Sequence, residues 1–138
     1  MNNNSKLKKI FYIFLVFIAF ISCDDKNEWI PNVRVSENIF LSQIANLGPL
    51  QATYWEGGVN GLIIFRLPEN EFNVFDRMCP YEASTSCSVE IKDEMFAECP
   101  CCDSKFTLEF NSLLRGPANR PLHQYRTAVQ GNMLYITN

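Results

Sequence analysis

The stretch Cys99–Phe106, CPCCDSKF, decides the reading, together with an earlier one, Arg77–Cys87, RMCPYEASTSC. Between them they carry five of the six cysteines in a chain of 138 residues. Each follows a strand–turn–strand pattern. GLIIFRL (Gly61–Leu67), the turn PENE and FNVFD (Phe72–Asp76) lead into the first. SVEIK (Ser88–Lys92), the turn DE and MFAE (Met95–Glu98) lead into the second. Apolar runs of strand length bounded by turn residues read as β-hairpins. The sulfurs therefore sit at two hairpin tips, and neighbouring strands can hold such tips side by side. Cys99 and Cys102 form C-x-x-C, a spacing that lets one tight loop chelate one metal, while Cys79 and Cys87 belong to the other loop. Soft thiolates select iron–sulfur clusters, zinc or copper(I).

Outward from these loops the chain stays β. LQATYWE (Leu50–Glu56) reads as a strand, with Tyr54 and Trp55 expected in the core, and GGVN as a tight turn. GLIIFRL is apolar throughout and predicts a strand buried on both faces. SQIANLG predicts one helical turn ending at Gly48, and KFTLEF a further strand. GPANRP (Gly116–Pro121) excludes helix and interior strand, because each proline removes a backbone donor. LHQYRTAVQGNMLYITN closes the chain as two strands around QGN. Sustained helical periodicity is missing after Cys23, so the class is all-β, built from short strands as a sandwich or small barrel.

The N-terminus is of another kind. MNNNSKLKK is polar and basic, Ile10–Ile21 is a run of twelve apolar residues, and SCDD follows. That is the pattern of an export signal, and the run is too short for a membrane span, which needs about 20 apolar residues. Cys23, directly after Ser22, resembles the lipidated cysteine of bacterial lipoproteins, although Phe20 stands where leucine is usual. The resemblance implies a signal peptide over residues 1–22, a lipid-anchored tether over 23–32, a domain over 33–138, and a place in the cell envelope outside the cytoplasm. A membrane reached through Cys23 is then one partner. Of 12 basic residues the signal takes three (Lys6, Lys8, Lys9), and it takes none of the 15 acidic ones, so the exported part carries a net charge of −6. Such a domain repels nucleic acid, which is excluded as a partner.

CPCCDSKF also resembles the second cluster loop of Rieske iron–sulfur proteins, C-P-C-H-G-S-x-F. CPY (Cys79–Tyr81) resembles their first loop, C-x-H. Seventeen residues separate Tyr81 from Cys99, as the family spacing requires, and GPANRPLHQYRT resembles the family's GPA…PL…Y segment. The likeness covers about Val33 to Asn138. It implies a Rieske-like fold of stacked antiparallel sheets with a small two-hairpin cluster-binding subdomain. It further implies a [2Fe-2S] centre, one-electron transfer and a redox or protein partner. Carried over, the cluster cysteines are Cys79 and Cys99. Some members join the loops by a disulfide; Cys101 falls at one of its positions and Cys87 is the natural partner.

The departures matter more. Both family histidines are replaced, by Tyr81 and Cys102, and Asp103 stands in place of a glycine. Cys79, Cys99 and Cys102 are then metal ligands, with Cys87 preferred over Tyr81 as the fourth, at the cost of the Cys87–Cys101 disulfide. Replacing imidazole by thiolate moves the potential from roughly −150 to +300 mV toward about −400 mV. The competing reading is a cluster-free binding or accessory module whose loops are stapled by disulfides, as in other exported proteins. A lysine-only signal favours it, because folded cluster proteins leave the cell on twin-arginine signals. Zinc on four cysteines is a third option. His123, the single histidine, lies away from the family's ligand positions, and Arg115, Arg120 and Arg126 read as a solvated face.

Overall fold

The computed structural model describes Pro31 and residues 33–83 and 86–138. The signal segment and, apart from Pro31, the tether with Cys23 lie outside these residues. Among them are ten strands: β1 (Ser36–Phe40), β2 (Ala52–Trp55), β3 (Leu62–Arg66), β4 (Phe72–Asp76), β5 (Glu90–Lys92), β6 (Phe96–Glu98), β7 (Lys105–Thr107), β8 (Leu113–Arg115), β9 (Gln124–Gln130) and β10 (Met133–Thr137). All pair antiparallel, in a six-stranded sheet ordered β1-β10-β9-β4-β3-β2 and a four-stranded sheet ordered β5-β6-β7-β8. Strand β9 joins the two halves of the larger sheet. Its start pairs with β4 (Val74 with Tyr125, Phe75 with Gln124) and its remainder with β10. The all-β expectation holds, including the β3–β4 and β5–β6 hairpins and the closing pair around Gly131.

Two cores explain why GLIIFRL is apolar without alternation. Side chains along a strand point to opposite faces in turn. From β3, Ile63 and Phe65 join Phe75, Val89, Phe106, Leu108 and Leu122 in one core, which also contains Cys79, Cys87 and Cys99. Leu62 and Ile64 join Phe72, Val74, Tyr125, Leu134 and Ile136 in the other. Each large apolar side chain so buried contributes about 1.5–3 kcal/mol. The cysteine loops are therefore seated on the first core through Cys79, Cys87 and Cys99.

Three local expectations are corrected. KFTLEF is a strand only to Thr107. The chain then turns, with Thr107 N–H donating to Ser112 O at 2.9 Å and Ser112 N–H to Thr107 Oγ1 at 3.1 Å, and returns as β8, a strand the sequence reading did not separate. SQIANLG is a short 3₁₀ turn over Leu41–Ile44 that ends well before Gly48. Tyr54 is 45% exposed, whereas Trp55 packs half-buried against the second core as expected. Tyr54 lies on edge strand β2, where its ring meets the Arg77 guanidinium and its hydroxyl accepts the Ile91 N–H at 2.7 Å.

Buried Asp76 ends β4 just ahead of the first cysteine loop. Its carboxylate accepts the Val59 N–H at 2.6 Å, the Met78 N–H at 2.8 Å and the Tyr125 hydroxyl at 2.7 Å. A buried carboxylate is tolerated when hydrogen bonds replace its water, and here they tie β4, β9 and the loop entrance together.

Candidate functional site

The first loop leaves β4 and is pinched at its neck. Met78 and Ser88 form an isolated bridge, Val89 N–H donates to Arg77 O at 2.7 Å, and Arg77 Nε donates to Val89 O at 3.0 Å. Inside the neck, Ala83 N–H donates to Cys79 O at 2.9 Å. The second loop leaves β6 and is equally tight. Cys99 N–H donates to Ser104 O, and Asp103 N–H to Cys99 O, both at 2.9 Å. Asp103 takes a φ of +57°, a conformation that favours glycine but that aspartate tolerates better than most residues. A glycine would take this conformation without the Cβ penalty.

The two loops converge. The thiol sulfurs of Cys79, Cys99 and Cys102 all lie within 4.8 Å of one another, with Cys79 and Cys102 at 3.5 Å. Cys79 and Cys99 are fully buried and Cys102 is partly exposed. Cys87 and Cys101 are joined in a disulfide with their Cα atoms 6.3 Å apart. The expected pairing of these two is therefore present, and the preference for Cys87 as fourth ligand is corrected. A sulfur bonded to another sulfur carries no thiolate charge to give a metal. Cys99 still touches this bridge, 3.5 Å from Cys87 Sγ. Glu82 also lies near Cys87 and Cys101, but with both sulfurs bonded it is a lone exposed carboxylate. Tyr81, at the remaining histidine position, is 55% exposed. His123 lies away from the thiols, its ring edge-on to Tyr125 at 4.8 Å.

The three thiols are not equivalent. Burial, then the bond to Cys79, pushes the Cys99 thiol up to about 12, although the backbone N–H groups of Cys101 and Cys102 oppose the rise. Burial also works to raise Cys102. There the Ser104 hydroxyl and backbone N–H, with the neighbouring thiols Cys99 and Cys79, outweigh it and hold the group below the usual thiol value. The Cys102 thiol donates to Ser104 Oγ at 3.2 Å, and that oxygen also accepts the Ala118 N–H at 3.1 Å; when the thiol ionises, the Ser104 hydroxyl proton turns to the thiolate instead.

Ser104 was not singled out in the sequence, nor was Gly116, which lies against it. Gly116 has a φ of +107°, and a Cβ there would stand 2.5 Å from Ser104 Oγ. The signal was present in the spacing of CPCCDS and GPA, but only coordinates connect the two.

No family model and no curated protein matches the chain. Solved structures do. The plasma-membrane Rieske protein PetC3 of the cyanobacterium Synechocystis PCC 6803 superposes with a TM-score of 0.57 at 20% identity, covering 78% of this chain and all of that one. The chain has the Rieske fold. A complex of reduced oxygenase and oxidized ferredoxin in carbazole 1,9a-dioxygenase contains a second such match, with a TM-score of 0.53 at 15% identity over 76% of this chain and 94% of that one. On this fold the two cysteine loops follow β4 and β6, and the free donors they bring together are sulfurs.

The donor set suits a sulfur-ligated group. Three thiols from two loops are gathered in one small volume, and backbone N–H groups already point at the Cys99 sulfur. The bridge between Cys87 and Cys101 uses none of them.

Proposed function

We propose that this domain is a membrane-tethered one-electron carrier, with a [2Fe-2S] cluster held by Cys79, Cys99 and Cys102 and with Tyr81 at the fourth family position. The observation that carries the reading is the meeting of three free thiols from two loops on a Rieske fold. When bound, the cluster supplies one-electron chemistry, at a potential lowered toward about −400 mV by thiolate in place of imidazole. The chain's own residues do the rest. Val89, Phe106, Leu108 and Leu122 keep water from Cys79 and Cys99. The Ser104 hydroxyl and the N–H groups of the second loop offset negative charge on the sulfurs. The Cys87–Cys101 bridge holds the loops in register. Anchoring through lipidated Cys23 would place the carrier on a membrane outside the cytoplasm, beside a redox partner.

A second reading, the cluster-free accessory module, is favoured by one observation: a disulfide already links the loops. Purification from the native envelope separates the two. A brown protein with about two irons per chain supports the carrier. A colourless, iron-free protein sinks it and leaves the stapled module. Incorporation of labelled fatty acid, abolished by Cys23→Ser, tests the anchor.

A further inference from the structure

Five sulfurs on two hairpin tips do more than offer ligands. They form a contiguous file: Cys101 bonded to Cys87, Cys87 against Cys99, and Cys99 grouped with Cys79 and Cys102. In this file Cys79 and Cys102 are 3.5 Å apart, come from different loops, and differ in access: Cys79 is buried and Cys102 reaches solvent. We propose that in the metal-free chain Cys79 and Cys102 are a redox-active dithiol that exchanges with small-molecule or protein disulfides, and that closing it shuts the metal site.

The geometry selects the order of events. An incoming disulfide R–S–S–R reaches only Cys102. The Cys102 thiolate attacks one sulfur, forming Cys102–S–S–R and expelling one R–S⁻. The Cys79 thiolate, in contact with Cys102 Sγ, then attacks that sulfur, forms the Cys79–Cys102 bond and expels the second R–S⁻. Two electrons pass from the pair to the disulfide, and the two thiol protons leave with the two R–S⁻ as R–SH. Bonding needs the sulfurs at about 2.05 Å. They are in van der Waals contact already at 3.5 Å, so the two sulfurs need to approach by about 1.5 Å.

Cys99 is the poorer partner for either thiol. Its sulfur lies against Cys87 and receives backbone N–H groups of its own loop, whereas Cys79, equally buried, faces Cys102 from the other loop at 3.5 Å. Cys99 would remain as the one thiol of the three, and one thiol does not hold a metal that was held by three. Oxidation and metal loading therefore exclude each other. The proposal concerns the metal-free chain, so it stands apart from the electron-carrier reading, whose test is iron in the protein from the envelope.

The experiment uses the full-length chain in detergent, stripped of metal, treated with oxidised glutathione and quenched with iodoacetamide. Peptide mapping by mass spectrometry should show a Cys102–glutathione adduct that converts to a Cys79–Cys102 cross-link, with Cys87–Cys101 intact and Cys99 alkylated only after denaturation. Cys79→Ser should trap the adduct on Cys102. Preloading with zinc should slow the cross-link at least 10-fold. The idea is overturned if all three thiols remain alkylatable, if the new bridge is Cys79–Cys99 or Cys87–Cys99, or if zinc gives no protection. Mapping the wild-type chain needs no variant to fold.

Discussion

Gly116 lies so close to Ser104 that the two segments leave no room for a methyl group between them. Gly116 opens the GPA turn, Ser104 ends the second cysteine loop, and Ser104 Oγ is held by the Ala118 N–H of that same turn. The segment that reads as a mere strand breaker is the buttress of the thiol site.

Gly116→Ala is accordingly expected to cost about 2–3 kcal/mol, since it combines a positive φ with an overlap. Gly131→Ala shares the positive φ, +59°, but nothing lies within 4 Å of the added carbon, so about 1 kcal/mol is expected there. Urea midpoints of the two variants check the difference. Equal losses would remove the buttress. The Gly116 variant should also expose Cys102 to faster alkylation.

The sequence could not have supplied this buttress, although it did supply the frame around it. The β3–β4 and β5–β6 hairpins were legible because their apolar runs are bounded by PENE and DE. The thiol positions were legible because C-P-C-C-D-S keeps a known spacing. The fate of Cys87 was not. Whether a cysteine ligates or bridges depends on which sulfur lies within bonding distance, and residue spacing alone does not give that. Tyr54 misled for a related reason: an aromatic on an edge strand looks like core until the sheet order is known.

Asp103 offers a local test of backbone strain in the second cysteine loop. With φ at +57°, Asp103→Gly should stabilise the domain by about 0.5–1 kcal/mol, and Asp103→Val should destabilise it by about 1–2 kcal/mol. Thermal unfolding of both variants, compared with the wild type, gives the sign directly. A stabilising valine would rule out backbone strain as the explanation.

Asp76 is the brace on the other side of the site. Asp76→Ala leaves the Val59 and Met78 N–H groups and the Tyr125 hydroxyl without their acceptor, and is expected to cost about 3–5 kcal/mol. Tyr125→Phe removes only one of the three bonds and should cost about 1–2 kcal/mol. Denaturant unfolding of each variant measures the ratio. Equal costs would mean that the hydroxyl, not the two backbone bonds, carries the brace.

Tyr125 and Cys99 together set the alkaline limit. Burial, then the bond to Asp76, raises the Tyr125 phenol above its ordinary value of 10.0, and burial raises the Cys99 thiol from 9.0 to about 12. In each case the folded state holds its proton longer than the unfolded chain. The stabilising contribution is therefore complete below about pH 9 and declines as pH rises, because the unfolded chain ionises first. Stability of the metal-free protein should fall progressively above pH 9. Cys99→Ser should delay that fall toward pH 10, and Tyr125→Phe should flatten the slope that begins there. At pH 8 the same difference appears as reactivity: iodoacetamide should modify Cys102, which is partly exposed and lowered, long before Cys99. Alkylation of Cys99 first, or a stability flat from pH 8 to 11, would contradict the burial assigned to these two groups.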